Sequence, residues 1–182
     1  MIHLRKLKIE DAEGILEWMY DPDIAKAFRF NAADKNRETV LEFIRCAETA
    51  PVDGGDIHYS IADETNEYLG TISLKSVDLV AKKAEYAISL KKSAWGKGIA
   101  FQATLEILQR AFKEFGLERI YLNVFSDNKR AIRLYEKCGF IYEGEFRKHL
   151  FLRGEYKSLK WYGMLKEEYL ATHDRIERSC DS

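Results

Sequence analysis

The chain has 182 residues, of which 46% are hydrophobic and 32% are charged, and this balance suits one globular domain with a substantial core. Its formal net charge of −1 offers no bulk attraction to nucleic acid or to an anionic membrane surface. No apolar run approaches the roughly 20 residues of a membrane span, and the N-terminal residues lack the apolar segment of a signal peptide. We therefore predict a cytoplasmic protein with one domain over residues 1–170, a polar tail over residues 171–182, and no nucleic-acid or membrane partner.

The cysteines and histidines give no sign of a metal site or of a disulfide framework. Cys46, Cys138 and Cys180 are odd in number and lie far apart, which favours free thiols in a reducing compartment. Cys138 falls on the apolar stripe of a predicted helix, so we expect it to pack in the core rather than to react. The histidines are isolated from one another, and we predict no metal: His3, His58, His149 and His173.

The first quarter of the chain reads as one strand followed by helices. Ile2 to Lys8 is a predicted strand, and Asp11 is placed to cap a helix that ends near Tyr20. Asp21-Pro22-Asp23 interrupts the helical pattern, because proline suits a first helical turn but not a helix interior. A further helix is predicted from Arg37 to Glu48, with one apolar face made of Val40, Phe43, Ile44 and Ala47.

The middle of the chain predicts three strands. Ile57 to Ala62 and Tyr68 to Leu74 form a hairpin around a short polar run. Lys75 to Lys83 is expected to be a loop. The strand from Ala84 to Leu90 follows, and it leads into a glycine-containing turn.

The second half alternates strands with helices. A helix is predicted over Ile99 to Phe115, then a strand over Arg119 to Phe125 and a helix over Asn128 to Lys137. A last hairpin joins Ile141–Leu152 to Tyr156–Leu165. The order of elements predicts an α/β fold of the α+β type, with a mixed central sheet of about seven strands flanked by helices. The expected apolar stripe of the first of these helices is Phe101, Leu105, Leu108, Phe112 and Phe115.

The turn between the strand and the long helix carries the first chemical signal. Its sequence is Trp95-Gly96-Lys97-Gly98-Ile99-Ala100. Two glycines let the backbone turn sharply and approach a ligand, and the helix that follows presents unpaired N–H groups and a positive dipole end. Together these features predict a phosphate or pyrophosphate site. A plain strand-to-helix turn would have the same short pattern, and Lys97 is either a phosphate contact or a solvated lysine.

A second motif, Asn128-x-x-Ala131-x-x-Leu134-Tyr135-x-x-x-Gly139-Phe140, lies about 28 residues downstream. Together with the loop, this motif resembles the GNAT superfamily of N-acetyltransferases, which use acetyl-CoA. The family's loop pattern, Gln/Arg-x-x-Gly-x-Gly/Ala, maps onto Trp95, Gly98 and Ala100, and Trp95 departs from it. The resemblance extends over roughly Ile2 to Tyr169. The downstream motif is matched at Asn128, Ala131, Leu134, Tyr135, Gly139 and Phe140.

The resemblance implies a set of residues that hold acetyl-CoA. Its phosphates are expected at the six residues from Trp95 to Ala100, and its pantetheine along the backbone of Ile88, Ser89 and Leu90. A backbone N–H of that strand is then available to stabilise the oxyanion. Asn128 resembles the CoA-contacting Asn of the family. The alternative is a helix cap, which Ser126 or Asp127 could equally supply.

The resemblance also nominates an acid and a base. Tyr135 corresponds to the family's thiol-facing Tyr, and a phenol with a pKa near ~10 can protonate a thiolate leaving group. Many members have a Glu base on the strand before the loop, and Glu85 lies there. Strand alternation places Glu85, Ala87 and Ser89 on one face, which is either the acceptor cleft or a solvated surface. Desolvation of the bound amine is an alternative to any base.

The acceptor is expected between two segments, Trp18 to Asp34 and Glu145 to Lys160, which carry aromatic and charged residues. We predict direct acetyl transfer, in a ternary complex, to a primary amine of a small polar molecule: an amino-sugar nucleotide first, a polyamine second. A protein N-terminus, such as that of a ribosomal protein, is the third option. The competing class is a non-catalytic acyl-CoA-binding module. The edge of the last hairpin could pair in a homodimer.

Overall fold

A seven-stranded mixed sheet organises the computed structural model, which describes residues 1–29 and 35–172. Its strand order is β1-β2-β3-β4-β5-β7-β6. The β4–β5 pair is parallel, and every other neighbouring pair is antiparallel. The predicted fold class is thus confirmed. The strands are β1 (Ile2–Arg5), β2 (Ile57–Asp63), β3 (Tyr68–Asp78), β4 (Lys83–Leu90), β5 (Arg119–Phe125), β6 (Ile141–Leu152) and β7 (Glu155–Leu165).

The helices cover both faces of this sheet. A 3-10 turn precedes α1, a second one precedes the glycine loop, and a π-helical turn of five residues, Arg110–Glu114, extends α4. Residues 166–172 are helical as well, and residues 173–182 lie outside the described part of the chain. The named helices are α1 (Ala12–Tyr20), α2 (Pro22–Ala25), α3 (Arg37–Cys46), α4 (Ile99–Gln109) and α5 (Lys129–Lys137).

Two hydrophobic clusters fill the two sides of the sheet. The larger one joins alternate strand residues such as Ile72 and Ile120 to Leu108 of α4 and to α5. The smaller one packs α1, α2 and α3 against the other face, where Trp18 Nε1 donates a 2.9 Å hydrogen bond to the Tyr68 hydroxyl. The partly buried Trp95 ring touches both clusters. The glycine loop therefore begins where the two halves of the core meet.

Two local predictions near the ends of strands are wrong. Asp11 directly precedes α1, but its carboxylate accepts from both terminal nitrogens of Arg5 and from the Lys8 N–H, so it does not cap the helix. The predicted loop after Leu74 is partly strand: β3 continues to Asp78, which pairs with Lys83 across an irregularity. In both places a contact between neighbouring elements decides the structure rather than the local pattern.

The buried face of α4 also differs from the predicted stripe. Phe101 and Leu105 are only half-buried, whereas small side chains of this helix, Ala103 and Thr104, are completely buried. The Thr104 hydroxyl lies 2.6 Å from the Ala100 carbonyl and 2.7 Å from the Tyr86 hydroxyl, so this polar residue is satisfied inside the core. Leu108 and Phe112 of the predicted stripe are buried as expected, but a prediction based on large apolar residues misses the small buried ones.

Candidate active site

The parallel strands β4 and β5 separate halfway along their length. Their pairing runs from Lys83–Arg119 to Glu85–Tyr121 and goes no further within the described sheet, although β4 continues to Leu90. On its other side β4 remains paired with β3 as far as Leu90. The backbone of Ile88, Ser89 and Leu90 therefore borders the gap between the two strands, where the pantetheine is predicted to lie.

The glycine loop is built as an open backbone cradle at the end of β4. Gly96 and Gly98 have φ values of +75° and +74°, a conformation that strongly favours glycine. A Cβ added at either position would meet nothing within 4 Å. Gly98 is the N-cap of α4 and offers no side-chain acceptor to the first helical N–H groups. These groups, with the exposed Lys97 beside them, are suited to an anionic ligand.

Trp95, which departs from the resemblance motif, has a partner that the sequence did not reveal. The guanidinium carbon of Arg130 lies 3.8 Å from the centroid of the Trp95 ring. Arg130 stands near the start of α5, and burial lowers its pKa without an acidic group to offset this effect. The stack thus holds a positive charge next to the first residue of the loop.

Tyr135 projects from α5 toward the same face of the sheet as Tyr86. Its ring meets those of Tyr86 and Phe140 edge-on, with centroids 5.8 and 6.1 Å away. Its hydroxyl has no hydrogen-bond partner among the described residues. Burial raises the pKa of Tyr135 above its ordinary value, so the phenol is protonated at neutral pH. A neutral, unpaired phenol is what a general acid requires.

Two other residues of the downstream motif have structural roles. The Asn128 side chain accepts a 3.2 Å hydrogen bond from the Ala131 N–H and so caps α5, as one of the two interpretations of this residue predicted. A contact of Asn128 with CoA stays a prediction. Cys138 is buried, as expected, and burial raises the pKa of its thiol to about 11. Cys46 is exposed and free.

Glu85 lies on the opposite face of the sheet from Tyr86 and Tyr135, because side chains alternate along β4. It is half-buried, and its Oε1 accepts a 2.8 Å hydrogen bond from Asn123 Nδ2 of β5. The candidate base and the candidate acid therefore lie on opposite faces of the sheet, next to the gap between β4 and β5. Asn123 was missed in the sequence, although alternation on β5 next to Glu85 was a usable signal.

Aromatic rings continue the Glu85 face of the sheet across β5 and β7. Tyr121 stacks on Trp161 with a centroid distance of 6.2 Å, and Phe146 lies 5.5 Å from Trp161. Burial raises the pKa of Tyr121, and the nearby Glu85 carboxylate raises it further. The face thus combines a carboxylate with half-buried aromatic rings.

Two arginines of this face already have hydrogen-bond partners. Arg29 donates to the Asn123 side-chain oxygen. Arg119 makes a two-pronged ion pair with Glu143, with N–O distances of 2.5 and 2.6 Å.

The two segments predicted to select the acceptor meet in the structure. Arg153, at the turn of the last hairpin, donates to the carbonyls of Ala25 and Phe28 at 2.9 and 3.1 Å. Two carboxylates in or directly before the first segment are bound elsewhere, Glu17 to Lys91 at 3.1 Å and Asp23 to Lys92 at 2.5 Å, and Asp21 caps α2. Residues 30–34, which belong to the first of these segments, lie outside the described residues.

Membrane and metal signals can be checked on the same part of the chain. None of the helices found over residues 1–29 and 35–172 has the length and apolarity needed to cross a bilayer. The same residues bring no three His, Cys, Asp or Glu side chains together as a metal site.

β6 forms one edge of the sheet and exposes Phe146 and Phe151, but a homodimer stays a prediction.

Three comparisons relate this geometry to known proteins. The family model described as the acetyltransferase (GNAT) domain matches residues 2–141. The N-acetyltransferase p20 of Bacillus licheniformis is 28% identical over 167 residues, 91% of this chain and 93% of that protein. Spermidine N(1)-acetyltransferase of Vibrio cholerae serotype O1 is 30% identical over 118 residues, 65% and 68% of the two chains. A crystal structure of a Vibrio cholerae spermidine N-acetyltransferase with CoA and spermine superimposes with a TM-score of 0.79 at 26% identity, covering 93% and 98%.

Proposed function

The chain belongs to the GNAT family of acetyltransferases and is an N-acetyltransferase that uses acetyl-CoA as its cosubstrate, and from this premise we propose that the acceptor is a polyamine. One observation carries the proposal. Glu85 and the stacked rings of Tyr121 and Trp161 share the sheet face that borders the gap opposite Tyr135. A carboxylate and aromatic faces both attract ammonium groups.

The pairing of the arginines supports a polyamine over the amino-sugar nucleotide that the sequence favoured. A nucleotide diphosphate would need free cationic donors on the acceptor face. Within the described part of that face, Arg29 is hydrogen-bonded to Asn123 and Arg119 to Glu143. The relatives support the same choice, since two of those compared above are spermidine acetyltransferases, one of them bound to CoA and spermine.

We infer that acetyl-CoA is held mainly by backbone. The N–H groups from Gly96 to Ala100 would bind the pyrophosphate, with Lys97 and Trp95 at its edge. The pantetheine would run along Ile88, Ser89 and Leu90, where β4 has lost its β5 partner. Asn128 is inferred to contact CoA in addition to capping α5.

The chemistry follows from the two faces of the gap. The neutral amine attacks the thioester carbonyl, a C–N bond forms, and a backbone N–H of β4 stabilises the oxyanion. Glu85 accepts the proton that the amine nitrogen loses. The intermediate then collapses by breaking the C–S bond, and Tyr135 gives its proton to the departing thiolate. Glu85 thus accepts one proton on one face of the sheet, and Tyr135 donates one proton on the other face.

The test is the release of free thiol from acetyl-CoA in the presence of single acceptors. The panel holds spermidine, spermine, an amino-sugar nucleotide and a peptide with a free N-terminus. We expect a kcat/KM for the polyamines at least about tenfold above that of any other class, since several ammonium groups share the binding energy. Greater activity with the nucleotide or the peptide would contradict the proposal. Binding of acetyl-CoA without turnover of any acceptor would favour the binding-module alternative.

A further inference from the structure

We propose that Asn123 is a positioning residue that holds the Glu85 carboxylate for proton transfer, and that Arg29 fixes the orientation of Asn123. Asn123 Nδ2 donates to Glu85 Oε1 at 2.8 Å, and Asn123 Oδ1 accepts from Arg29. The three side chains form a series of hydrogen bonds from Arg29, in the segment that follows α2, to the candidate base Glu85. The inference deepens the proposed function and rests on it, because it acts through Glu85.

The donors and acceptors leave one possible orientation for the Asn123 amide. A guanidinium has N–H donors and no acceptor, so only Oδ1 can face Arg29. An ionised carboxylate accepts and cannot donate, so only Nδ2 can face Glu85. The usual ambiguity between the oxygen and the nitrogen of an amide is therefore removed by the two neighbours. Without Arg29, the amide could turn its oxygen toward the carboxylate.

The hydrogen bond to Oε1 has a direct consequence for the base. A carboxylate side chain rotates freely unless something holds it, and proton transfer requires an oxygen within hydrogen-bond reach of the amine. Asn123 occupies Oε1 and leaves Oε2 without a hydrogen bond among the described residues. Oε2 is then the oxygen available to the amine.

The charged and titratable neighbours of Glu85 come from both adjacent strands. Lys75 of β3 and Tyr121 of β5 are its register partners, and Lys83 lies two residues earlier on the same face. Lys83 is drawn toward Asp78, with an N–O distance of 3.9 Å. Asn123 is the described residue that hydrogen-bonds Glu85, so the amide is the contact to remove.

Arg29 connects the base to the acceptor-binding segments. It follows Phe28, whose carbonyl accepts a hydrogen bond from Arg153 of the last hairpin. The orientation of Glu85 therefore depends on the position of the segment that we predict contacts the acceptor. An acceptor that displaces this segment would release Asn123 and lose catalysis as well as affinity, which makes the chain of hydrogen bonds a determinant of specificity.

The primary experiment is the pH profile of kcat/KM for the best acceptor in Asn123→Asp. This nearly isosteric change puts a second carboxylate beside Glu85, and like charges disfavour ionisation of the pair. The base is then protonated up to a higher pH, so we expect the acid limb of the profile to move up by about one pH unit. Because an ionised carboxylate in place of the amide has no N–H to hold Glu85, we also expect the neutral-pH rate to fall about tenfold. Asn66→Asp, in the exposed β2–β3 turn, is the matched control and should leave the limb in place.

Arg29→Gln is the second variant, because Arg29 is exposed and its replacement should leave the core intact. We expect kcat to fall about fivefold with an unchanged KM for acetyl-CoA, and Arg29→Lys to restore part of the loss since it still donates. An unshifted acid limb in Asn123→Asp, or an unchanged kcat in Arg29→Gln, would overturn the inference.

Glu85→Gln separates this inference from the proposed function. If Glu85→Gln abolishes the acid limb while both variants above behave as wild type, the inference fails and Glu85 stands as the base. If Glu85→Gln leaves rate and profile unchanged, the base assignment fails and the inference falls with it. A polyamine preference in the thiol-release panel is unaffected by either result.

Discussion

The proposed cosubstrate half and the proposed acceptor half of this enzyme are built in different ways. We propose that the cosubstrate half uses backbone groups of one continuous segment, from the end of β4 through the glycine loop into α4. The acceptor half is assembled from side chains that are far apart in the chain, such as Arg29 with Asn123 and Arg153 with Ala25. A backbone site tolerates changes of side chain, and Trp95 at a motif position is one example. A side-chain site can diverge freely, so selectivity for the acceptor belongs there.

The largest effect is expected from Gly98→Val, which tests whether the cosubstrate half is a backbone site. Valine disfavours a φ of +74°, and its side chain would enter the open space above the loop. We expect the affinity for acetyl-CoA to fall about a hundredfold or more, measured by calorimetry. Gly54→Val is the control, because Gly54 has the same φ and equally open surroundings in a remote turn. Equal losses in the two variants would contradict the loop assignment.

Tyr135→Phe tests whether the buried side of the gap supplies the acid. Removing the phenol proton should lower kcat about a hundredfold and leave the Kd for acetyl-CoA nearly unchanged. Tyr59→Phe removes another buried hydroxyl, one that donates to the Thr49 carbonyl, and should affect stability alone. An unaltered kcat in Tyr135→Phe would remove Tyr135 as the acid.

Arg130→Gln tests a side chain outside the glycine loop that we expect to help the backbone hold the phosphates. Its guanidinium stacks on Trp95 and has no acidic partner among the residues described, so its charge is available to an anion. We expect the Kd for acetyl-CoA to rise about tenfold. Lys113→Gln removes a positive charge beyond the far end of α4 and should change the Kd little. Equal values for the two variants would restrict the site to backbone groups.

Arg153→Ala is the mildest of these changes, and it loosens the acceptor half alone. The variant loses two hydrogen bonds to the carbonyls of Ala25 and Phe28, both at the protein surface. We expect the KM for the acceptor to rise about threefold while the KM for acetyl-CoA stays constant. A rise in the acetyl-CoA KM would show that the two halves are not separable.

The same contrast explains how much could be predicted from the sequence. The strands of the mixed sheet and the glycine loop follow from periodicity and from motifs within short segments, and Glu85 and Tyr135 follow from the family resemblance that these motifs carry. The Arg29–Asn123 contact joins residues 94 positions apart and leaves no local signature. Asp11 failed as a predicted cap for a related reason, since its partner Arg5 lies in another element.

Small residues account for a second kind of error. The predicted face of α4 followed large apolar side chains, but Ala103 and Thr104 are buried as completely as Leu108. Burial of a threonine requires partners, and these are the Ala100 carbonyl and the Tyr86 hydroxyl. Such a pairing depends on tertiary packing, which a single helical pattern does not encode.

The divergence of β4 from β5 also bears on how the products leave. A gap between two strands opens onto both faces of a sheet, and the two candidate proton-transfer groups lie one on each face. In the proposed mode of binding, the acetylated amine would depart on the side from which it entered while CoA still occupied the other side. Neither product would have to wait for the other, so we expect the two products to be released in random order.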